Sequence, residues 1–154
     1  MIEDTINKIK NFATKNGIEL TVMKNNSFWV RQGSAVILIF VECFDNYENI
    51  EDVVVTFYCR VVENARIDDK LIEKLLRLNA DFKMGSFGLT QDNAICYRHS
   101  ILGGNHMDFE EFYTALVSVA YISDEYDDKI ISTNGGKTAI DTLVQTSRMK
   151  DIDW

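Results

Sequence analysis

The chain has 154 residues, 16 of them Lys or Arg and 24 Asp or Glu, for a net charge of −8, and it contains no proline. A hydrophobic share of 46% with 26% charged residues excludes an intrinsically disordered chain and predicts one compact domain. The acidic balance, with Lys and Arg scattered, excludes a basic surface for nucleic acid or anionic lipid, and the missing proline excludes polyproline segments.

The first predicted element is an amphipathic helix, with Ile2, Ile6, Ile9 and Ala13 at helical spacing, Phe12 beside them and a stop at Asn16-Gly17. Ile18, Leu20 and Val22 then alternate with polar residues, the stretch 24–27 supplies turn chemistry, and Phe28-Trp29-Val30-Arg31 returns as a hairpin partner. After Gly33-Ser34, residues 35–41 are apolar on both alternating faces and predict a central strand buried on two sides. That run is also the longest uninterrupted apolar stretch, far short of the ~20 residues a membrane helix requires. Residues 45–49 break it, and 53–62 form a strand with Val53, Val55, Phe57, Cys59 and Val61 on one face.

From Ile67 the period turns helical again. Ile67, Leu71, Leu75 and Leu78 make one stripe and Ile72 and Leu76 a second beside it. A strand pair at 84–89 and 94–102 follows, and Gly103-Gly104-Asn105 marks its exit. Asp108 with Glu111 fits an N-cap opening a third helix through Phe109, Phe112, Leu116 and Val119, closed at Asn134-Gly135-Gly136. The order α-β-β-β-α-β-β-α predicts a single-domain α+β fold over residues 1–133, a largely antiparallel sheet with helices packed on it. In this reading the first strand is a bent hairpin pair. Residues 134–154 form a short C-terminal extension, with Ile140, Leu143 and Val144 spaced for a short helix.

No arrangement of residues reads as a catalytic centre. Gly135-Gly136-Lys137-Thr138 imitates the end of a phosphate-binding loop, but the first glycine of that motif would fall on Ile131 and the segment follows a helix. The two histidines, His99 and His106, make no zinc pattern, and the acids at 124–128 lack the glycine and ligand spacing of a calcium loop. Cys96 and His99 are an odd number of positions apart on one strand and point to opposite faces, while Cys43 and Cys59 stand in apolar strand context as small hydrophobes. Three cysteines without a CxxC predict no disulfide framework and a cytoplasmic setting, and the early acids at Glu3 and Asp4 give no secretory leader. No enzyme, cofactor or metal is therefore expected. A small-ligand sensor stands as the alternative, with a pocket of Trp29, Phe87 or Tyr97 and Arg98 as anion anchor; Arg98 reads equally as an exposed strand residue or an ion-pair partner.

The stretch from Leu75 to Leu89, LLRLNADFKMGSFGL, followed by ICYRHSIL at 95–102, carries the pattern LN-x-x-F-x-x-G-x-F and an arginine in the next strand. It resembles the helix-to-hairpin segment of YbjN-like proteins, which share the type III secretion chaperone-like fold. The resemblance implies a small non-enzymatic cytoplasmic protein, usually a homodimer, that holds or regulates another protein. Its motif is structural, with glycines where the backbone turns or packs closely, and residues beyond Asn134 fall outside it. The wide apolar surface of the second helix, Ile67, Leu71, Ile72, Leu75, Leu76 and Leu78, is the expected interface for a partner subunit, protein or peptide segment. Sheet edges without proline are a second place for a partner strand.

Overall fold

The computed structural model describes residues 1–45, 48 and 51–139. Helix α1 (Ile2–Asn16) leads into β1 (Thr21–Val22), β2 (Ser27–Gln32), β3 (Ala35–Asp45) and β4 (Glu51–Val62). Helix α2 (Asp69–Asp81), β5 (Ser86–Leu89), β6 (Ile95–Leu102), a 3-10 turn (Gly104–His106) and α3 (Phe109–Asn134) complete the order. The six strands form one antiparallel sheet in the order β1-β2-β3-β4-β6-β5. The predicted bent hairpin is resolved as the two-residue β1 paired with β2 at Trp29 and Phe28.

Local chemistry sets the helix ends. Gly17 takes φ 66° at the C-terminus of α1, where a side chain would be strained. Asp68 and Asp108 cap α2 and α3, accepting from the backbone N–H of Leu71 at 2.9 Å and of Glu111 at 2.8 Å. Helix α3 continues through the acids at 124–128 to Asn134, whose side chain donates to the Arg66 carbonyl at 2.7 Å and ties the end of α3 to the entry of α2.

The core lies between the sheet and its helices. Ile37, Ile39 and Val41 of β3, the predicted face of β4, and Tyr97 and Ile101 of β6 meet Ile6 and Ile9 of α1 and Phe112, Leu116 and Val119 of α3. Phe112 packs on Phe57 with ring centroids 5.4 Å apart, and Phe12 joins α1 to Phe109 and Phe112 at 5.7 Å. Strand β3 is buried on both faces as its composition requires, but only through Val41; from Glu42 onward it is exposed, so Cys43 is open to solvent and not packed. The helical spacing of Ile140, Leu143 and Val144 and most of the 45–49 turn lie outside the described residues.

Candidate functional site

Helix α2 is amphipathic with more apolar surface than its own contacts use. Leu71 is buried and Ile67, Leu75 and Leu78 are half-buried against the core, whereas Ile72 is 40% and Leu76 65% exposed. Ile67, Leu71, Ile72, Leu75 and Leu76 line one wall of a groove of about 140 Å³, whose other wall is Phe87, Gly88, Leu89 and Ile95. Five of the six interface residues expected from the sequence thus converge on this groove between α2 and β5. Leu78 is not part of its lining; it packs toward the core.

Asn79, at the end of the groove, belongs to the LN pattern that the sequence marks as structural. Its Oδ1 accepts from Phe87 N–H at 2.7 Å and its Nδ2 donates to Phe87 C=O at 3.0 Å. In an antiparallel pair, alternate residues turn both backbone polar groups away from the partner strand. Phe87 is such a residue on β5, one of the two edge strands, so the asparagine occupies the position an added strand would take there. At this residue the β5 edge is covered by a side chain, with the apolar groove beside it, and β1 is the other edge of the sheet.

The rest of the motif holds this corner in shape. Phe82 packs on Phe87, Tyr97 and Tyr126 at 5.6 to 5.8 Å, and the Tyr97 hydroxyl donates to the Met84 carbonyl at 2.5 Å. Gly85 has φ 87°, and a Cβ there would lie 2.6 Å from the Arg98 carbonyl oxygen.

The residues of the alternative ligand pocket divide between the two faces of the sheet, Trp29 with Arg98 and Phe87 with Tyr97. Phe87 and Tyr97 face the helices and are buried, whereas Arg98 is exposed on the opposite face of the sheet, across from Tyr58 and in the same row as Trp29. Cys96 and His99 do point to opposite faces, and burial pushes the pKa of His99 down. Among the described residues no group of three or more His, Cys, Asp or Glu is placed to hold a metal ion, and no helix is long and apolar enough to cross a membrane. Gly135 and Gly136 end α3, and Lys137 bonds through its backbone to Glu63 at 2.8 and 2.9 Å, so the loop-like tetrad is a helix-terminating turn.

The acids of α3 serve packing. The Ser34 backbone N–H donates to Asp124 at 3.2 Å, and the Ser34 hydroxyl contacts both Asp124 and Asp127, pinning the β2–β3 turn to the helix. Burial pushes the pKa of Asp127 up, the neighbouring Asp128 and Asp124 charges add to it, and hydrogen bonds from Asp128 N–H and Ser34 oppose it.

Comparison with known proteins gives this corner a context. The fold is that of the chaperone in the HopA1-SchA chaperone-effector complex, with a TM-score of 0.60 at 6% identity over 83% of this chain and 98% of that one. It is also that of the Yersinia pestis type III secretion chaperone SycH, solved with a stable fragment of YscM2, at a TM-score of 0.54 and 15% identity over 79% of this chain and 98% of the other. YbjN from E. coli aligns over 92% of both chains at 12% identity and a TM-score of 0.48. No curated protein matches by sequence. A family profile covers residues 10–142, which takes in the whole sheet, the groove and the Asn79 clamp: the chain belongs to the type III secretion (YopN, CesT) and YbjN peptide-binding chaperones, the TY-Chap1 family.

Proposed function

We propose that this chaperone is non-catalytic and cytoplasmic, forms a homodimer, and holds an apolar segment of a partner protein in the groove between α2 and β5, which the outer stripe of α2, Ile72 and Leu76, helps to line. The observation that carries this is the pairing of an apolar groove with two large exposed side chains, Ile72 and Leu76, on a helix otherwise docked to its own core. A groove lined by Leu71, Leu75, Phe87 and Ile95 offers side-chain burial and few polar groups, which suits a helical or extended apolar anchor rather than a polar metabolite.

Light scattering coupled to gel filtration tests the dimer: a mass of twice 17.7 kDa is expected, and 17.7 kDa throughout the micromolar range removes it. Affinity capture from the native cell tests the groove. A partner that binds the wild-type chain and is lost with Leu76→Asp supports the assignment, and a partner retained equally by both moves the site elsewhere.

A further inference from the structure

Charges are sorted around helix α2 in a way that its apolar contacts do not require. Asp69 and Glu73 stand three positions before Ile72 and Leu76, the exposed residues of the groove's helical wall, so each acid is the solvent-side neighbour of one of them. Lys70, Lys74 and Arg77 form a second exposed row, about 100° further round the helix and away from β5, and none of them lines the groove. The acidic row thus lies along the groove and the basic row behind it.

The other rim adds no positive charge. Strand β5 and the turn after it present Ser86, Thr90, Gln91 and Asp92, with no Lys or Arg among residues 84–97, and Asp92 is already held by Arg60 at 2.6 Å. Arg66 and Lys83 flank α2 at its two ends, Arg66 paired with Asp68 at 3.2 Å. Glu73 shares an exposed ion pair with Arg77 at 2.7 Å, a contact weak enough in water to leave its charge available.

We propose, on the reading that this groove holds a partner segment, that the segment is cationic: large apolar anchors flanked by Lys or Arg. The anchors fill the groove, the aliphatic stems of the flanking residues lie over Ile72 and Leu76, and their charged heads meet Asp69 and Glu73. Ile72 and Leu76 are one turn apart, about 6 Å, which matches residues i and i+4 of a helical segment and also i and i+2 of an extended one at about 7 Å. Charge rather than conformation therefore sets the class of partner. An acidic flank would meet the acidic row in a chain of net charge −8, so the same row selects against it. A second copy is disfavoured on this face for a related reason, because in a two-fold contact the same patch meets itself and the two acidic rows approach each other.

A random dodecapeptide library displayed on phage tests this, selected on the full chain and counter-screened on Leu76→Asp that is folded by circular dichroism. Peptides lost on Leu76→Asp should carry Lys or Arg beside their apolar residues. For one such peptide, made with a fluorescent label, anisotropy should show Asp69→Asn with Glu73→Gln weakening binding about threefold to tenfold, and Lys70→Gln with Lys74→Gln changing it less than about twofold. Raising the salt from about 0.1 M to about 1 M should weaken it as well. Peptides that depend on Leu76 but have neutral or acidic flanks overturn the cationic assignment and leave the groove reading in place. So does an affinity that shifts equally, in opposite directions, when either row is neutralised, since that follows net charge and not the row. Peptides retained equally by Leu76→Asp, or no enrichment at all, overturn the groove reading and the assignment with it.

Discussion

The side-chain amide of Asn79 closes both backbone polar groups of Phe87, accepting from its N–H at 2.7 Å and donating to its C=O at 3.0 Å. One residue of α2 thereby fixes the separation of helix and strand, and with it the width of the groove between them.

Replacing Asn79 with alanine should lower stability by about 1–3 kcal/mol, because it strands a donor and an acceptor on a half-buried edge. Urea denaturation measures the loss. A change of only a few tenths of a kcal/mol would mean that water replaces the amide fully and that the clamp does not set the groove.

That clamp shows where the sequence was legible. Among the described residues, hydrophobic periodicity located the α-helices and the strands, since Ile67, Leu71 and Leu75 at helical spacing or Val53, Val55 and Phe57 at alternating spacing each have one physical solution. The motif around Asn79 was readable as structural, but the pairing of Asn79 with a residue eight positions on depends on how the chain folds back after Gly85, which no local pattern encodes. Cys43 failed for a related reason. Its neighbours are those of a core strand, and only the burial pattern along β3 reveals that the packed part ends at Val41. Arg98 and Tyr97 are adjacent in sequence and lie on opposite faces, so of the aromatics offered for a pocket Trp29 shares a face with Arg98, and Phe87 and Tyr97 do not.

Gly85→Ala should be costly out of proportion to one methyl group. At φ 87° the new Cβ meets the Arg98 carbonyl oxygen at 2.6 Å and Tyr97 at 2.8 Å, and strain of this kind costs about 1–3 kcal/mol before any repacking. Denaturation should show the loss as a lowered midpoint. A variant as stable as the wild type would contradict the turn geometry.

The two stripes of α2 should separate binding from folding. Leu76→Asp changes a side chain that is largely in water and should alter stability by no more than about 0.5 kcal/mol while abolishing partner capture. Leu71→Ala removes buried volume and should cost about 2–5 kcal/mol. If Leu76→Asp unfolds the protein, the exposed stripe belongs to the core and the interface assignment falls.

Thiol chemistry should distinguish the three cysteines. Cys59 is buried and its pKa is pushed up to about 12, chiefly by burial, and burial also raises Cys96. Cys43 is exposed, with its pKa raised mainly by the Glu51 hydrogen bond, so it reacts more slowly than a free cysteine but remains reachable. Alkylation of the folded protein at pH 8 should add one label and three after denaturation. Early labelling of Cys59 would show that the sheet opens far more readily than this packing allows.

Two carboxylates should give stability opposite dependences on pH. Burial raises the folded pKa of Asp127 above 3.8, so its contribution is fully present below that value and is lost as the pH rises through the folded pKa. Asp92 is the reverse: the Arg60 hydrogen bond, aided by Thr90, lowers it to about 2, so its contribution is present above 3.8 and is lost as the pH falls through about 2. Asp127→Asn should therefore raise the melting temperature at pH 7, with the gain shrinking toward pH 4. Asp92→Asn should lower the melting temperature at pH 7, with the deficit shrinking below pH 4. Thermal unfolding of the two variants from pH 2 to pH 7 checks both signs, and parallel curves would mean that neither carboxylate titrates differently in the folded and unfolded chains.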